Sequence, residues 1–204
     1  MSTISFYTNP MSRGQIARWA LHEAGADYEQ VLLDYGTSMK AEDYLKINPM
    51  GKVPAIVHDN KAVTEGAAIC AYLADSFPAA GLAPNAAERA DYYRWLFYAA
   101  GPLESAITNR TLGFEIEPDK EMTAGYGNYD RVVAVLDSKF QVDDYVCGPR
   151  FTMADVYVGA QVIWGSQFGT LPQRDSFATY VERLTGRSAY KDAKAIDDAL
   201  IANQ

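Results

Sequence analysis

Two cysteines and two histidines are all that this 204-residue chain offers for thiol or metal chemistry. Cys70 and Cys147 could make at most one disulfide, and no CxxC pair exists. Reduced core thiols are therefore expected, and with only His22 and His58 beside them a dedicated zinc site and other bound metals are not. Positive charge is also short: 18 Lys and Arg stand against 26 Asp and Glu, a net charge of −8, and the cations form no block. Such a surface repels phosphate backbones and anionic headgroups, which argues against nucleic-acid and membrane partners. No stretch approaches the ~18 uninterrupted apolar residues of a membrane span. The opening MSTISFY lacks a basic segment ahead of an apolar one, so no secretion signal is expected and a cytoplasmic setting is. What remains is ordinary globular material, 49% hydrophobic and 22% charged, enough for one large domain or two small ones.

The first part of the chain alternates strand and helix signals. TISFYT reads as a buried strand, and Ile16, Ala17, Ala20, Leu21 and Ala24 form a helical stripe that Gly25 stops. YEQVLL reads as a second strand, and MKAEDYLKI as a short helix ending before Asn48-Pro49. PAIVHDNKAVT holds two β-rich runs around His58-Asp59-Asn60-Lys61, a hairpin signal. EGAAICAYLADSF is helical in spacing and stops at Pro78. The order is β-α-β-α-β-β-α. PAAGLAPNAAE then reads as a linker, and beyond it the patterns are helical: 86–110, about 119–140, 152–168, 174–185 and 188–202. The expected organisation is an α/β domain over 1–78, a linker over 79–87 and an all-helical domain over 88–204.

Three stretches could carry chemistry. In NPMGKVPAIV, Pro54 lacks the N–H a ladder needs and belongs at a strand start. A trans bond in a turn is its ordinary state, whereas a cis Val53–Pro54 bond would present the Val53 backbone to an extended, peptide-like ligand. In VTEGAAI a strand gives way to a helix whose first N–H groups suit a carboxylate. Gly66 permits close approach, and Glu65 could pair with an ammonium; the plain alternative is an acid favouring the helix dipole. In TNPMSRG, Ser12 is an N-cap by default. Beside Arg13, its hydroxyl could instead donate to a thiolate, a bond worth roughly 1.5–3 kcal/mol. That would lower a thiol pKa by roughly one to two units. Ser12 has no triad partner in sight and is not read as a nucleophile.

These pieces in this order resemble the glutathione transferase family along the whole chain: YTNPMSRGQIARWALHEAG, NPMGKVPAIV, TEGAAICAYLADSFP and FTMADVYVG. The resemblance implies a thioredoxin-like N-terminal domain with Pro54 in cis, a helical second domain and a homodimer. It implies that glutathione is co-substrate, with its cysteinyl part on the Val53 backbone, its γ-glutamyl end at Glu65 and Gly66, and Lys52 near its other end. Many members carry Ser or Thr where this chain has Gly66, so backbone N–H groups would serve there. The thiol-activating position matches Ser12, supported by Arg13, or Tyr7 at the end of the first strand. Met11, Tyr98 and Tyr93 are candidates for the acceptor site. FTMADVYVG implies a buried capping motif, Thr152 with Asp155, that serves folding. The implied activity is conjugation of the glutathione thiol to a small hydrophobic electrophile, as in detoxification. A glutathione-dependent peroxidase or reductase, and a non-catalytic binding protein, are the alternatives.

Overall fold

Ile4, Phe6 and Thr8 are buried and alternate with half-buried Ser5 and Tyr7 along the first strand, β1 (Ile4–Thr8), the period of two expected of a pleated strand. In the computed structural model, which describes residues 3–203, β1 lies inside a four-stranded mixed sheet of order β2-β1-β3-β4. β2 (Tyr28–Leu32) is parallel to β1, whereas β3 (Ala55–His58) pairs antiparallel with both β1 and β4 (Lys61–Thr64). A parallel neighbour needs a crossover, and α1 (Gly14–Ala24) supplies it. The five apolar residues of its sequence stripe are buried, and Gly25 closes the helix at φ 63°. The β3–β4 turn holds Asp59 and Asn60 at φ 50° and 62°, the left-handed pair that a two-residue hairpin demands. A short helix, α2 (Glu42–Leu45), precedes β3, and α3 (Gly66–Ser76) follows β4. The β-α-β-α-β-β-α order is the one expected from sequence.

The chain forms two compact units: Met1–Ala83 together with Thr185–Gln204, and Pro84–Leu184. This differs from a helical domain running unbroken over 88–204, because the last helix, α9 (Ser188–Ala202), packs along α1. Arg18 and Asp197 meet there at 3.0 Å with both side chains 1% exposed. Trp19 meets Tyr190 edge to face at 5.1 Å, and Arg187 grips Glu23 through two hydrogen bonds of 2.6 and 2.7 Å. Helical periodicity identified α9 as a helix, but a buried Asp gives no sign in sequence of the cation it will meet.

The other unit is built from α4 (Arg89–Tyr98), α5 (Glu104–Thr111), α6 (Tyr129–Phe140), α7 (Met153–Phe168) and α8 (Asp175–Thr185). The expected 86–110 helix is interrupted: Ala99–Leu103 form a π-helical turn at Pro102, whose missing N–H cannot continue the α ladder. The expected 119–140 helix starts only at Tyr129, where Asn128 accepts the Arg131 N–H, since Gly125 and Gly127 break the run before it. α7 is apolar nearly all round and forms the core. Its capping box is present: Asp155 accepts from the N–H groups of Val146 and Thr152 and from the hydroxyls of Thr152 and Tyr180. Cys70 and Cys147 are both free and buried, and burial pushes the Cys70 thiol far up and the Cys147 thiol to about 11.

Candidate active site

The strand register decides which loops meet. Tyr7 pairs with Ala55 and Ala55 with Thr64, so three segments emerge at one end of the sheet. These are the loop after β1, the Val53–Pro54 approach to β3 and the Glu65–Gly66 start of α3. Thr8 pairs with Leu32, which brings the loop after β2 to the same end. Ser12, Val53, Glu65 and Gly66 are thus gathered by topology, although they are spread over more than fifty positions of sequence.

The loop after β1 is braced on several sides. Buried Asn9 donates its amide to the Leu33 carbonyl at 2.8 Å and accepts the Met11 N–H at 2.9 Å. Gln15 donates to the Pro10 carbonyl, and the Tyr35 hydroxyl to the Met11 carbonyl at 2.9 Å. Ser12 Oγ accepts the Gly14 N–H at 2.9 Å and donates to the Asn9 carbonyl at 2.6 Å. It is therefore a half-buried turn group one residue before the N-cap, which is Arg13 and makes no side-chain cap bond, and not the N-cap of its default reading. A Cβ on Gly14 would stand 2.0 Å from Thr8 Oγ1, so no side chain fits where the loop enters α1. Arg13 is exposed at the first position of the helix cap. Tyr7 points to the other face of the sheet, packed on the cluster of Leu33, Met39, Tyr44 and Ala55, with its ring 5.5 Å from that of Tyr44.

The Val53–Pro54 bond is cis. The preceding turn is held by groups that local sequence patterns did not single out. Asn48, 3% exposed, donates to the Lys52 carbonyl at 2.8 Å and accepts the Met50 N–H, and the Tyr44 hydroxyl donates to the same Lys52 carbonyl. Burial pushes the Tyr44 phenol up to about 12, so it remains a donor throughout the physiological range. Lys40 donates to the Gly51 carbonyl at 2.7 Å, and Gly51 sits at φ 58° with no space for a Cβ beside Met39 and Lys40. Lys52 itself is exposed. The ladder begins at Ala55, and among the described residues no hydrogen bond engages the Val53 backbone.

Glu65 is the N-cap of α3 and carries φ 65°, ψ 118°, away from the ordinary left-handed well. Its side chain makes no capping bond and is exposed. The first helical donor is Ile69, to the Glu65 carbonyl, which leaves the N–H groups of Gly66, Ala67 and Ala68 without intrahelical partners. Gly66 and Ala67 are half-buried and Ala68 is exposed. A carboxylate approaching them would meet the positive end of an 11-residue helix, with the Glu65 carboxylate alongside for an ammonium.

The acceptor-site candidates fare differently. Met11 is 58% exposed on the braced loop. Tyr98, in the helical unit, spends its hydroxyl on the Val132 carbonyl and sets its ring edge to face against Trp95, so its phenol is a packing group there. Burial pushes that phenol far up. Tyr93 is 46% exposed on α4.

The chain is similar to known proteins along most of its length. The profile of the glutathione S-transferase N-terminal domain matches residues 2–75. Glutathione S-transferase GstA of Escherichia coli O157:H7 is 30% identical over 179 residues, covering 85% of this chain and 88% of that protein. Disulfide-bond oxidoreductase YfcG of Escherichia coli is 26% identical over 204 residues, 91% of this chain and 92% of that one. The structure of a sphingomonad glutathione S-transferase complexed with glutathione superposes with a TM-score of 0.74 at 26% identity, over 95% of this chain and 98% of that one. Thioredoxin-like sheet, helical remainder and whole-length likeness agree: the chain belongs to the glutathione S-transferase family.

Proposed function

We propose that this protein binds glutathione and activates its thiol for attack on a small hydrophobic electrophile. The observation that carries the reading is the convergence of an unengaged Val53 backbone, the N–H groups of Gly66, Ala67 and Ala68 that lack intrahelical partners, and the Ser12 hydroxyl at one end of the sheet. The γ-glutamyl carboxylate sits on the α3 N-terminus and its ammonium on Glu65. The cysteinyl amide pairs with Val53 in an extended, strand-like manner, and Lys52 lies toward the glycyl carboxylate. The thiol gives its proton to solvent. Ser12 then turns its O–H from the Asn9 carbonyl to the sulfur, with Arg13 adding positive potential. The thiolate forms the new S–C bond as the leaving group departs with the electron pair of its own bond to carbon.

Tyr7 is the alternative donor; its packing against Tyr44, on the face away from α1, favours Ser12. The experiment is conjugation of an aryl halide together with titration of bound glutathione in Ser12→Ala and Tyr7→Phe. Ser12→Ala raises the thiol pKa and slows turnover; an unchanged pKa refutes its role.

A glutathione-dependent reductase is the second reading, favoured by the likeness to a disulfide-bond oxidoreductase. Against a mechanism through the protein's own thiols stand two cysteines that are buried and have raised thiol pKa values. Disulfide turnover exceeding conjugation would establish the second reading. The family reading also implies a cytoplasmic homodimer, which light scattering tests.

A further inference from the structure

Arg110 is an exposed cation on α5. Among the described residues no carboxylate lies within 4.0 Å of it, in a chain where acids outnumber bases by 26 to 18. Its guanidinium carbon instead lies 4.1 Å over the ring of Tyr129, a cation–π contact that leaves its N–H donors unspent. The ring below is itself fixed, because the Tyr129 hydroxyl donates to the Thr170 carbonyl at 2.7 Å.

This pair forms one wall of an open surface pocket of about 170 Å³ on the helical unit. Phe114, 62% exposed, and Tyr126 form apolar walls. The Phe114 backbone is held by its N–H, which donates to the Asn109 carbonyl at 2.8 Å, and the Tyr126 ring by the Asn109 amide, which donates to its hydroxyl at 2.9 Å. Glu115 and Asp130 stand on the rim, both exposed and neither in ion-pair reach of Arg110. An enclosed apolar cavity of about 150 Å³ holds a benzene ring, and this pocket offers a similar volume with one side open to solvent. It has room for a ring bearing one small substituent, with a guanidinium to receive it.

We propose that this pocket is a binding site for an aryl carboxylate, with the ring against Phe114 and Tyr126 and the carboxylate forked on Arg110. Nothing in the proposed thiol chemistry requires it, and it is read without glutathione, so its failure leaves that reading untouched.

The test is titration of the full chain, free of glutathione, with benzoate and with its uncharged isostere benzamide, followed by calorimetry or ligand-observed NMR. Benzoate is expected to bind in the millimolar range and about tenfold more tightly than benzamide, the worth of a charge-assisted fork. Arg110→Gln abolishes that preference and Arg110→Lys retains part of it, while circular dichroism reports that each variant is folded. Equal affinity for the two ligands, no binding of either, or an Arg110→Gln variant that holds benzoate as before would each overturn the assignment.

Discussion

Glu65 allows the proposed ligand site to be separated from the fold that carries it. At φ 65°, ψ 118° the residue occupies a sparsely populated region that costs on the order of 1–3 kcal/mol. Its side chain is exposed and caps nothing, so no stabilising contact of the ligand-free protein depends on it. Glu65→Gly relieves the strain, while the greater freedom of glycine in the unfolded chain takes back about 0.4–1 kcal/mol. A net gain on the order of 1 kcal/mol is expected, read as a higher urea midpoint with an unchanged slope. Glutathione affinity moves the other way. Loss of a charge-assisted contact worth roughly 1.5–3 kcal/mol weakens binding by about tenfold or more, measured by calorimetry. Glu65→Ala is the control: it removes the same carboxylate but keeps a Cβ at positive φ, so binding weakens without the gain in stability. A Glu65→Gly protein that is less stable, or that binds glutathione as tightly as before, would refute the idea that strain is retained here for the ligand.

Ser12→Ala removes both the acceptor of the Gly14 N–H and the donor to the Asn9 carbonyl, and is expected to lower stability by about 1 kcal/mol. The same substitution raises the pKa of bound glutathione by roughly one to two units, followed through thiolate absorbance, whereas Tyr7→Phe leaves that pKa in place. Asp197→Ala strands the Arg18 guanidinium inside the α1–α9 contact and should cost about 3–5 kcal/mol. The double variant Arg18→Met, Asp197→Leu should recover most of that loss in denaturant unfolding, and a double variant as unstable as the single one would contradict the burial argument. Burial, with the charge of Arg18, lowers the His22 pKa from 6.5. The unfolded chain therefore binds a proton that the fold resists, so this part of the stability is present above pH 6.5 and is lost as pH falls below it. The difference in unfolding free energy between the parent and His22→Gln, followed from pH 7.5 to about 5, should show that slope; parallel curves would exclude it.

What could be read from sequence follows the range over which each physical cause acts. Asp59-Asn60 between two β-rich runs, Gly25 after an apolar stripe, and Thr152 three residues before Asp155 are local codes, and the structure answers each with a hairpin, a helix stop and a capping box. Pro54 and the Glu65-Gly66 pair stand out at strand and helix boundaries, but the residues alone favour a trans bond and an acid serving the helix dipole, and the cis bond that the structure shows followed only from the family resemblance. The groups that hold those boundaries were not legible. Asn9 acts on a carbonyl 24 residues away, and Tyr44 and Asn48 share the Lys52 carbonyl only because the turn folds back on them. The misplaced start of α6 is a different case: Gly125 and Gly127 are local helix breakers already present in the sequence, outweighed in the reading by the periodic residues on either side. Distance along the chain does explain α9. Asp197 looks like a surface residue of an amphipathic helix until Arg18, 179 positions earlier, proves to be its buried partner. The groups proposed to meet the ligand therefore mark boundaries in the sequence, and only their joint order, matched to a family, gives them a ligand. Those that hold them in register are ordinary polar residues whose function exists only once the chain has closed on itself.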